Sequence, residues 1–169
     1  MKLKGILFGL VAGLVLLVGA SATSPMDQSH SGLAVGNVLP EMKPLQEQPY
    51  QLLPQSGRYS LIHFWAAYDG ESRSEHIAWS NHFAHTVSDK IAYRAVCLDL
   101  DKAVYEQTLL LDGIPTNQAG QCSPNPQVRL EIIDRYALSG SMHSYLVDER
   151  GVVLSVDPAL EELKRFYLR

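Results

Sequence analysis

Side chains able to do acid–base or nucleophilic chemistry gather in one short stretch, residues 69–76. Ser72, His76 and a carboxylate from Asp69 or Glu75 are together the members of a hydrolytic triad. A working triad needs a base that is hydrogen-bonded to the nucleophile and oriented by the acid. Because all these members fall within one short turn, they rarely point in the required directions, and the spacing argues against a hydrolase.

The elements around this stretch can be predicted from its flanks. An apolar, β-branched and aromatic run from Tyr59 to Ala66 predicts a buried strand. Asp69-Gly70 breaks the run, and large residues then recur at helical spacing from about Ser72 to Val87. We expect Asp69 to cap this helix by accepting its free N–H groups. Strand, turn and helix N-terminus would place side chains 69–72 at an exposed, electropositive corner.

Histidines on the same predicted helix are candidate metal ligands. His82 and His85 lie three apart, with Glu75, His76 and Asp89 flanking them. An i, i+3 pair can bind a metal, but such histidines more often form an exposed face, and no further ligands are evident. We therefore expect neither a metal nor another cofactor.

Two cysteines are the only thiols of the chain. Cys97 falls in a second apolar run, Ile91 to Leu100, which predicts another buried strand. Cys122 falls between Gly113 and Pro126, a stretch rich in proline that predicts a long surface loop. Their spacing matches no zinc or C-x-x-C motif. Either they form a Cys97–Cys122 disulfide outside the cytosol, or they are a buried thiol and a loop thiol that never touch.

The N-terminus reads as a targeting segment. Lys2 and Lys4 precede an apolar run from about Gly5 to Val18, and Ala20-Ser21-Ala22 has the A-x-A form of a cleavage site. As a helix the run would span about 24 Å, less than the ~30 Å hydrocarbon core. We predict a secretory signal over residues 1–22, cleaved after Ala22, rather than an uncleaved anchor. The mature protein would be periplasmic or secreted, with no membrane segment.

The remaining chain suits one domain over residues 36–169, preceded by a flexible lead-in over 23–35. An apolar content of 46% suffices for a core, and a formal charge of −4 gives no footprint for nucleic acid.

A short strand is expected near Tyr50 to Leu53. The other predicted elements are helices at Asp101–Leu111 and Val128–Leu138, a hairpin of Ser144–Val147 and Val152–Val156, and a closing helix after Pro158 with Leu160, Leu163, Phe166 and Tyr167 facing inward.

Several of these motifs resemble those of thioredoxin-like proteins of the TlpA/ResA and AhpC/TSA type. Phe64-Trp65-Ala66, then Arg73 and Glu75, is similar to their active-site segment F-W-A-x-W-C-x-x-C-R-x-E. Tyr145-Leu-Val-Asp148 with Gly151 is similar to their F-L-I-D-x-x-G. The resemblance covers essentially the whole mature chain. It implies a thioredoxin-like three-layer α/β fold, with a mixed central β-sheet flanked by helices on both faces.

The chain departs from that pattern at its reactive positions. Asp69 stands at the first cysteine, Ser72 at the second and Met142 at the cis-proline. Disulfide exchange needs an attacking thiolate and a resolving thiol, which a carboxylate and a hydroxyl cannot replace. A cis bond before a non-proline residue costs roughly 2.5–4 kcal/mol. We therefore expect a trans bond at Met142 and a remodelled groove.

Glu75 matches the glutamate that lies beneath the cysteine pair in the TlpA/ResA group. By this resemblance it would be a partly buried carboxylate close to Asp69 and His76. It is either a retained acid, base or binding group with a pKa raised by burial, or a core-edge carboxylate bonded to backbone or to His76.

Two functions remain. The first is an exported thioredoxin-like domain without dithiol redox chemistry, a binding or accessory module for an unknown protein or peptide of the cell envelope. It would use a groove at the former active site, with candidates Trp65, Tyr68, Asp69, Gly70, Glu71, Ser72 and Met142. The alternative is a thiol–disulfide oxidoreductase or antioxidant protein of the cell envelope that uses Cys122 or Cys97. That enzyme would need the 113–126 loop to bring Cys122 to the groove.

Overall fold

The computed structural model describes residues 33–42, 52–53, 57–86, 89–116 and 119–167. The predicted signal over 1–22, its cleavage after Ala22, most of the 23–35 lead-in and the start of the short strand near Tyr50 lie outside these ranges. Leu52 and Leu53 are described and form no strand. Within the described ranges, no helix combines the length and the apolar character needed to cross a membrane.

A five-stranded mixed sheet forms the centre of the fold, in the order β3-β2-β1-β4-β5. Its strands are β1 (Tyr59–Trp65), β2 (Ile91–Cys97), β3 (Ala119–Gln121), β4 (Ser144–Val147) and β5 (Val153–Val156). β1 pairs in parallel with β2 and antiparallel with β4, so it is the central strand. Residues Ser60 to Trp65 are buried on both faces, which explains the continuous apolar run in the sequence.

Four helices cover the sheet: α1 (Gly70–His85), α2 (Lys102–Asp112), α3 (Pro126–Arg135) and α4 (Leu160–Tyr167). The first three begin where a side chain accepts backbone N–H groups, from Asp69, Asp101 and Asn125 respectively. α2 ends at Gly113, whose φ of 67° is a left-handed conformation that glycine adopts without strain.

The helices divide between two cores, one on each face of the sheet. Leu61 and Trp65 point to the face covered by α1, α2 and α4, where Tyr105, Leu109 and Leu163 complete the packing. Ile62 and Phe64 point to the other face, where α3 contributes Ile132 and Tyr136 and residues 39–42 add Leu39 and Met42. Burying each large apolar side chain stabilises the fold by about 1.5–3 kcal/mol. The predicted three-layer mixed sheet is confirmed.

Other details also differ from the sequence prediction. The expected 113–126 loop contains β3, because Ala119 to Gln121 pair in parallel with Ala95 to Cys97. Leu160 is 38% exposed instead of facing inward, since it lies at the first position of α4, while Leu163 is fully buried.

Candidate functional site

The corner between β1 and α1 has the predicted construction. Asp69 caps α1: its Oδ1 accepts the Ser72 N–H at 2.8 Å, and its carbonyl accepts the Arg73 N–H at 3.0 Å. Tyr68 is 63% exposed, and Gly70 and Glu71 are exposed beside it. The carboxylate therefore occupies the position where helix N–H groups would otherwise stabilise a reactive anion.

Two predicted groove residues lie below this surface. Ser72 is only 3% exposed, and its Oγ lies 3.3 Å from the Asp69 carbonyl and 3.4 Å from the Ala66 nitrogen. Trp65 is fully buried and stacks on the His76 ring with centroids 4.3 Å apart. Their placement in the candidate groove was wrong, because Ser72 turns back under the cap and Trp65 points towards α1.

The hydrolytic triad is not assembled. His76 is fully buried, and its Nδ1 lies 2.7 Å from the Tyr93 hydroxyl rather than facing Ser72. Burial lowers the pKa of His76 to about 3, so the imidazole is neutral at physiological pH. Its Nε2 and the Trp65 indole N–H have no hydrogen-bond partner in the described structure.

His63, which sequence reasoning missed, holds the corner from beneath. It is fully buried in β1, with Nε2 2.9 Å from the Ser72 carbonyl and Nδ1 2.9 Å from Ser144 Oγ. Because a carbonyl can only accept, we assign the proton to Nε2, and the Ser144 hydroxyl donates to Nδ1. Burial lowers the pKa of His63 to about 4. A polar residue within an apolar strand was the only available sequence signal.

Glu75 lies over this histidine at the protein surface. Its side chain is 50% exposed and its Oε2 is 4.0 Å from His63 Nδ1. Since His63 is neutral near pH 7, this contact is not an ion pair there. The pKa of Glu75 is raised, first by partial burial and then by the charges of Asp157, Glu71 and Asp69. The predicted direction is confirmed, whereas the suggested hydrogen bond to His76 is replaced by the approach to His63.

The arginine of the motif, Arg73, has a structural contact. Arg73 donates from Nε and Nη2 to the Asp112 carboxylate at 2.8 and 2.6 Å, which ties the first turn of α1 to the end of α2. This bidentate pair raises the pKa of Arg73.

Met142 lies beside the end of β1. The Phe64 N–H donates to the His143 carbonyl at 3.0 Å, so Met142 comes one residue before a segment that is hydrogen-bonded to β1. The peptide bond at Met142 is trans, as predicted, since no cis bond occurs in the described ranges. Its side chain is half-buried against the core.

Both thiols are free, and both are fully buried. The Cys122 N–H donates to the Cys97 carbonyl at 2.8 Å, so their backbones touch, contrary to the separated arrangement considered above. The side chains nevertheless belong to the two cores on opposite faces of the sheet. The disulfide that the sequence left open is not formed, and the segment around β3 does not carry Cys122 to the surface.

Burial also disfavours ionisation of the two thiols. It raises the pKa of Cys122 to about 11 and that of Cys97 still further. Cys97 additionally donates its S–H to Asp99 Oδ2 at 3.1 Å, where a thiolate would be repelled by the carboxylate.

The histidine pair of α1 makes separate contacts. His82 Nε2 lies 2.8 Å from the Tyr167 hydroxyl, and His85 Nδ1 lies 2.7 Å from the Asn81 carbonyl. Across the described part of the chain, no three His, Cys, Asp or Glu side chains are grouped to hold a metal ion.

Arg129 is a second corner residue that the sequence did not reveal. From α3 it donates through Nε to the Leu98 carbonyl at 3.0 Å and through Nη2 to the Tyr68 hydroxyl at 2.8 Å. Helix α3 was predicted, but its position against the β1–α1 turn depends on the tertiary fold.

Known structures share this architecture. A thioredoxin-like protein from Parabacteroides distasonis superposes with a TM-score of 0.69 at 24% identity, covering 82% of this chain and 97% of that one. The thioredoxin domain of a thiol-disulfide oxidoreductase from Bacteroides vulgatus gives 0.59 at 19% identity, covering 79% and 94%. StoA from Bacillus subtilis gives 0.54 at 16%, covering 69% and 86%.

These similarities establish a thioredoxin-like fold for the chain, which is the fold that the motif resemblance implied. No protein-family model matches the chain, and no curated protein matches it in sequence. At these identities the structural likeness concerns the fold alone. The corner of this fold carries Asp69 and Ser72 where the resemblance places cysteines.

Proposed function

We propose that the protein is an exported thioredoxin-like domain without dithiol redox chemistry, acting as a binding or accessory module in the cell envelope. One observation carries the proposal: the helix N-terminus at the corner is capped by the carboxylate of Asp69, and Ser72 is buried behind it. Export rests on the signal-like residues 1–22 of the sequence.

The chemistry of the thiols supports the absence of redox turnover. Exchange requires a thiolate that can reach a substrate disulfide. Cys97 and Cys122 are both fully buried with raised pKa values, so neither is ionised or accessible near neutral pH.

The surface left at the corner is suited to contact rather than to catalysis. We define the corner surface as Tyr68, Asp69, Gly70, Glu71 and Met142. Tyr68 presents a largely exposed ring, and tyrosine supplies contact area at low entropic cost. An unknown protein or extended peptide is the partner that this surface would fit.

An insulin-reduction assay with dithiothreitol tests the proposal. The mature protein should not accelerate insulin precipitation above the dithiothreitol background. A Cys97→Ser, Cys122→Ala variant should give the same background rate. A clear acceleration by the wild-type protein that disappears in this variant would instead establish the oxidoreductase.

A further inference from the structure

Arg129 differs from Arg73, the other arginine near the corner surface, because its hydrogen bonds in the described structure all go to neutral groups. Its Nε–H donates to the Leu98 carbonyl and an Nη2–H donates to the Tyr68 hydroxyl. The guanidinium carbon lies 6.0 Å from the centre of the Tyr68 ring. A guanidinium has five N–H donors, so three of them have no protein acceptor in the described structure.

Four other arginines of the described chain have carboxylate partners. Arg58 pairs with Asp89, Arg73 with Asp112, Arg135 with Glu131 and Arg150 with Asp148. Arg129 has no such ion pair within the described ranges, although it is only partly exposed. A partly buried cation without a counter-ion is costly unless its remaining donors find an acceptor.

Two hydrogen bonds fix Arg129 before any ligand arrives. They join α3 to the backbone after β2 and to the turn after β1, so the side chain cannot swing freely into solvent. No ion pair in the described structure joins it to Asp99, the buried carboxylate at this end of the sheet. The Asp99 side chain instead accepts the Ala67 N–H at 2.6 Å and the Cys97 thiol at 3.1 Å. Pre-organised donors of this kind favour binding because less entropy is lost.

The surroundings select the type of anion. Asp69 and Glu71 lie on the same turn as Tyr68, and their negative charges oppose a dianion more strongly than a monoanion. A carboxylate matches the planar geometry of a guanidinium. Tyr68, 63% exposed, offers an aromatic face to the rest of a peptide, and Gly70 next to it presents no side chain.

We propose that Arg129 and Tyr68 form a carboxylate-binding site for a peptide or protein segment on the corner surface. The inference rests on the proposed binding function and names the chemistry of its partner. The carboxylate is either a chain terminus or a Glu or Asp side chain. Arg129 supplies the N–H donors, and Tyr68 positions it while contacting the neighbouring ligand residue.

Three pools of N-acetylated random hexapeptides would test the site. The first has free C-terminal carboxylates and no Asp or Glu; the second is amidated and contains Glu; the third is amidated and contains neither acid. NMR spectra of the isotopically labelled mature protein would follow the Arg129 Nε–H and Tyr68 signals. We expect shifts with the first or second pool, which distinguishes a chain terminus from an acidic side chain, and none with the third.

Matched variants relate these shifts to Arg129. Arg129→Gln should weaken binding of the responsive pool by about tenfold to a hundredfold, the usual range for a charge-assisted hydrogen bond. Tyr68→Phe retains the ring but removes the hydroxyl that accepts a hydrogen bond from Arg129. It should weaken binding of the responsive pool by a smaller factor. Arg135→Gln on the same helix should leave the affinity within roughly twofold. Circular dichroism would verify that each variant is folded.

The remaining outcomes separate this inference from the proposed function. Equal shifts with all three pools, unaffected by Arg129→Gln, would overturn the carboxylate site while retaining a peptide-binding surface. Stronger shifts with inorganic phosphate than with acetate would assign the site to a different anion and overturn the inference. No shift with any probe would overturn both.

Discussion

Thiol chemistry requires a suitable corner geometry and a sulfur atom, and two regions at the same end of the sheet each supply one of these. The β1–α1 corner has the geometry: a strand end, an exposed turn and a helix N-terminus, which the Asp69 carboxylate caps. The β2–β3 region has the sulfur: Cys97 and Cys122 are hydrogen-bonded neighbours through their backbones. Their side chains are buried on opposite faces of the sheet, so neither thiol reaches solvent and the two thiols do not face each other. A reactive thiol needs both conditions in one place.

Moving sulfur to the corner should produce the largest effect. Asp69→Cys with Ser72→Cys places two thiols at the start of α1, where the helix dipole lowers the pKa of the first. We expect an oxidisable pair that forms a disulfide, detected as the loss of alkylatable thiols in mass spectrometry. Asp69→Ser with Ser72→Cys is the matched control and should remain reduced. Failure of the double cysteine variant to close a bridge would contradict the geometry assigned to the corner.

Thiol labelling tests the β2–β3 region, which contains Cys97 and Cys122. At pH 8 a thiol with a pKa of about 11 is ionised to an extent on the order of a hundred times smaller than an ordinary cysteine. Iodoacetamide should therefore label Cys122 slower by at least about that factor, and Cys97 slower still, since burial also blocks access. Labelling in urea should recover ordinary rates. One fast-reacting thiol in the native protein would favour the oxidoreductase instead.

Acidification should weaken the corner through its buried histidines. The folded-state pKa of His63 is about 4 and that of His76 about 3, both below the ordinary histidine pKa of 6.5. A lowered histidine pKa means that the unfolded chain binds protons first, so stability falls as pH drops below about 6.5 and levels off below the folded pKa. For His63 alone the loss by pH 4 is about 3 kcal/mol.

Urea unfolding between pH 7.5 and pH 4 would measure this loss. His76→Phe removes one buried imidazole while keeping a ring against Trp65, so its stability should depend less steeply on pH. His85→Gln, on the exposed side of α1, should retain the wild-type slope. Parallel slopes in all three proteins would show that the buried histidines are not responsible.

The cap at the corner predicts the smallest effect. Asp69→Ala removes the acceptor of the Ser72 N–H and should lower the free energy of unfolding by about 1 kcal/mol. Asp69→Asn retains a capping oxygen and should stay within a few tenths of a kcal/mol. Chemical denaturation monitored by circular dichroism measures both. If Asn proved as harmful as Ala, the charge of Asp69 would matter more than its hydrogen bond.

Local features were predictable from the sequence because their contacts lie within a few residues. Asp69 caps a helix that starts at the next residue, and the 144–147 strand was predicted with its exact bounds. Contacts between distant residues were not predictable. His63 meets Ser144 across 81 positions, and Arg129 meets Tyr68 across 61. The short β3 was missed because three residues carry too little pattern without their partner strand.

The sequence alone determined that a strand–turn–helix corner exists and that it carries oxygen rather than sulfur, since both follow from residue identity and short-range spacing. Only the tertiary structure decided which of these groups reaches solvent. Ser72 and Trp65 lie beneath the corner, the two thiols face opposite cores, and Arg129 reaches Tyr68 from another helix. Exposure and side-chain direction depend on strand pairing and helix packing between distant segments, which local spacing does not encode.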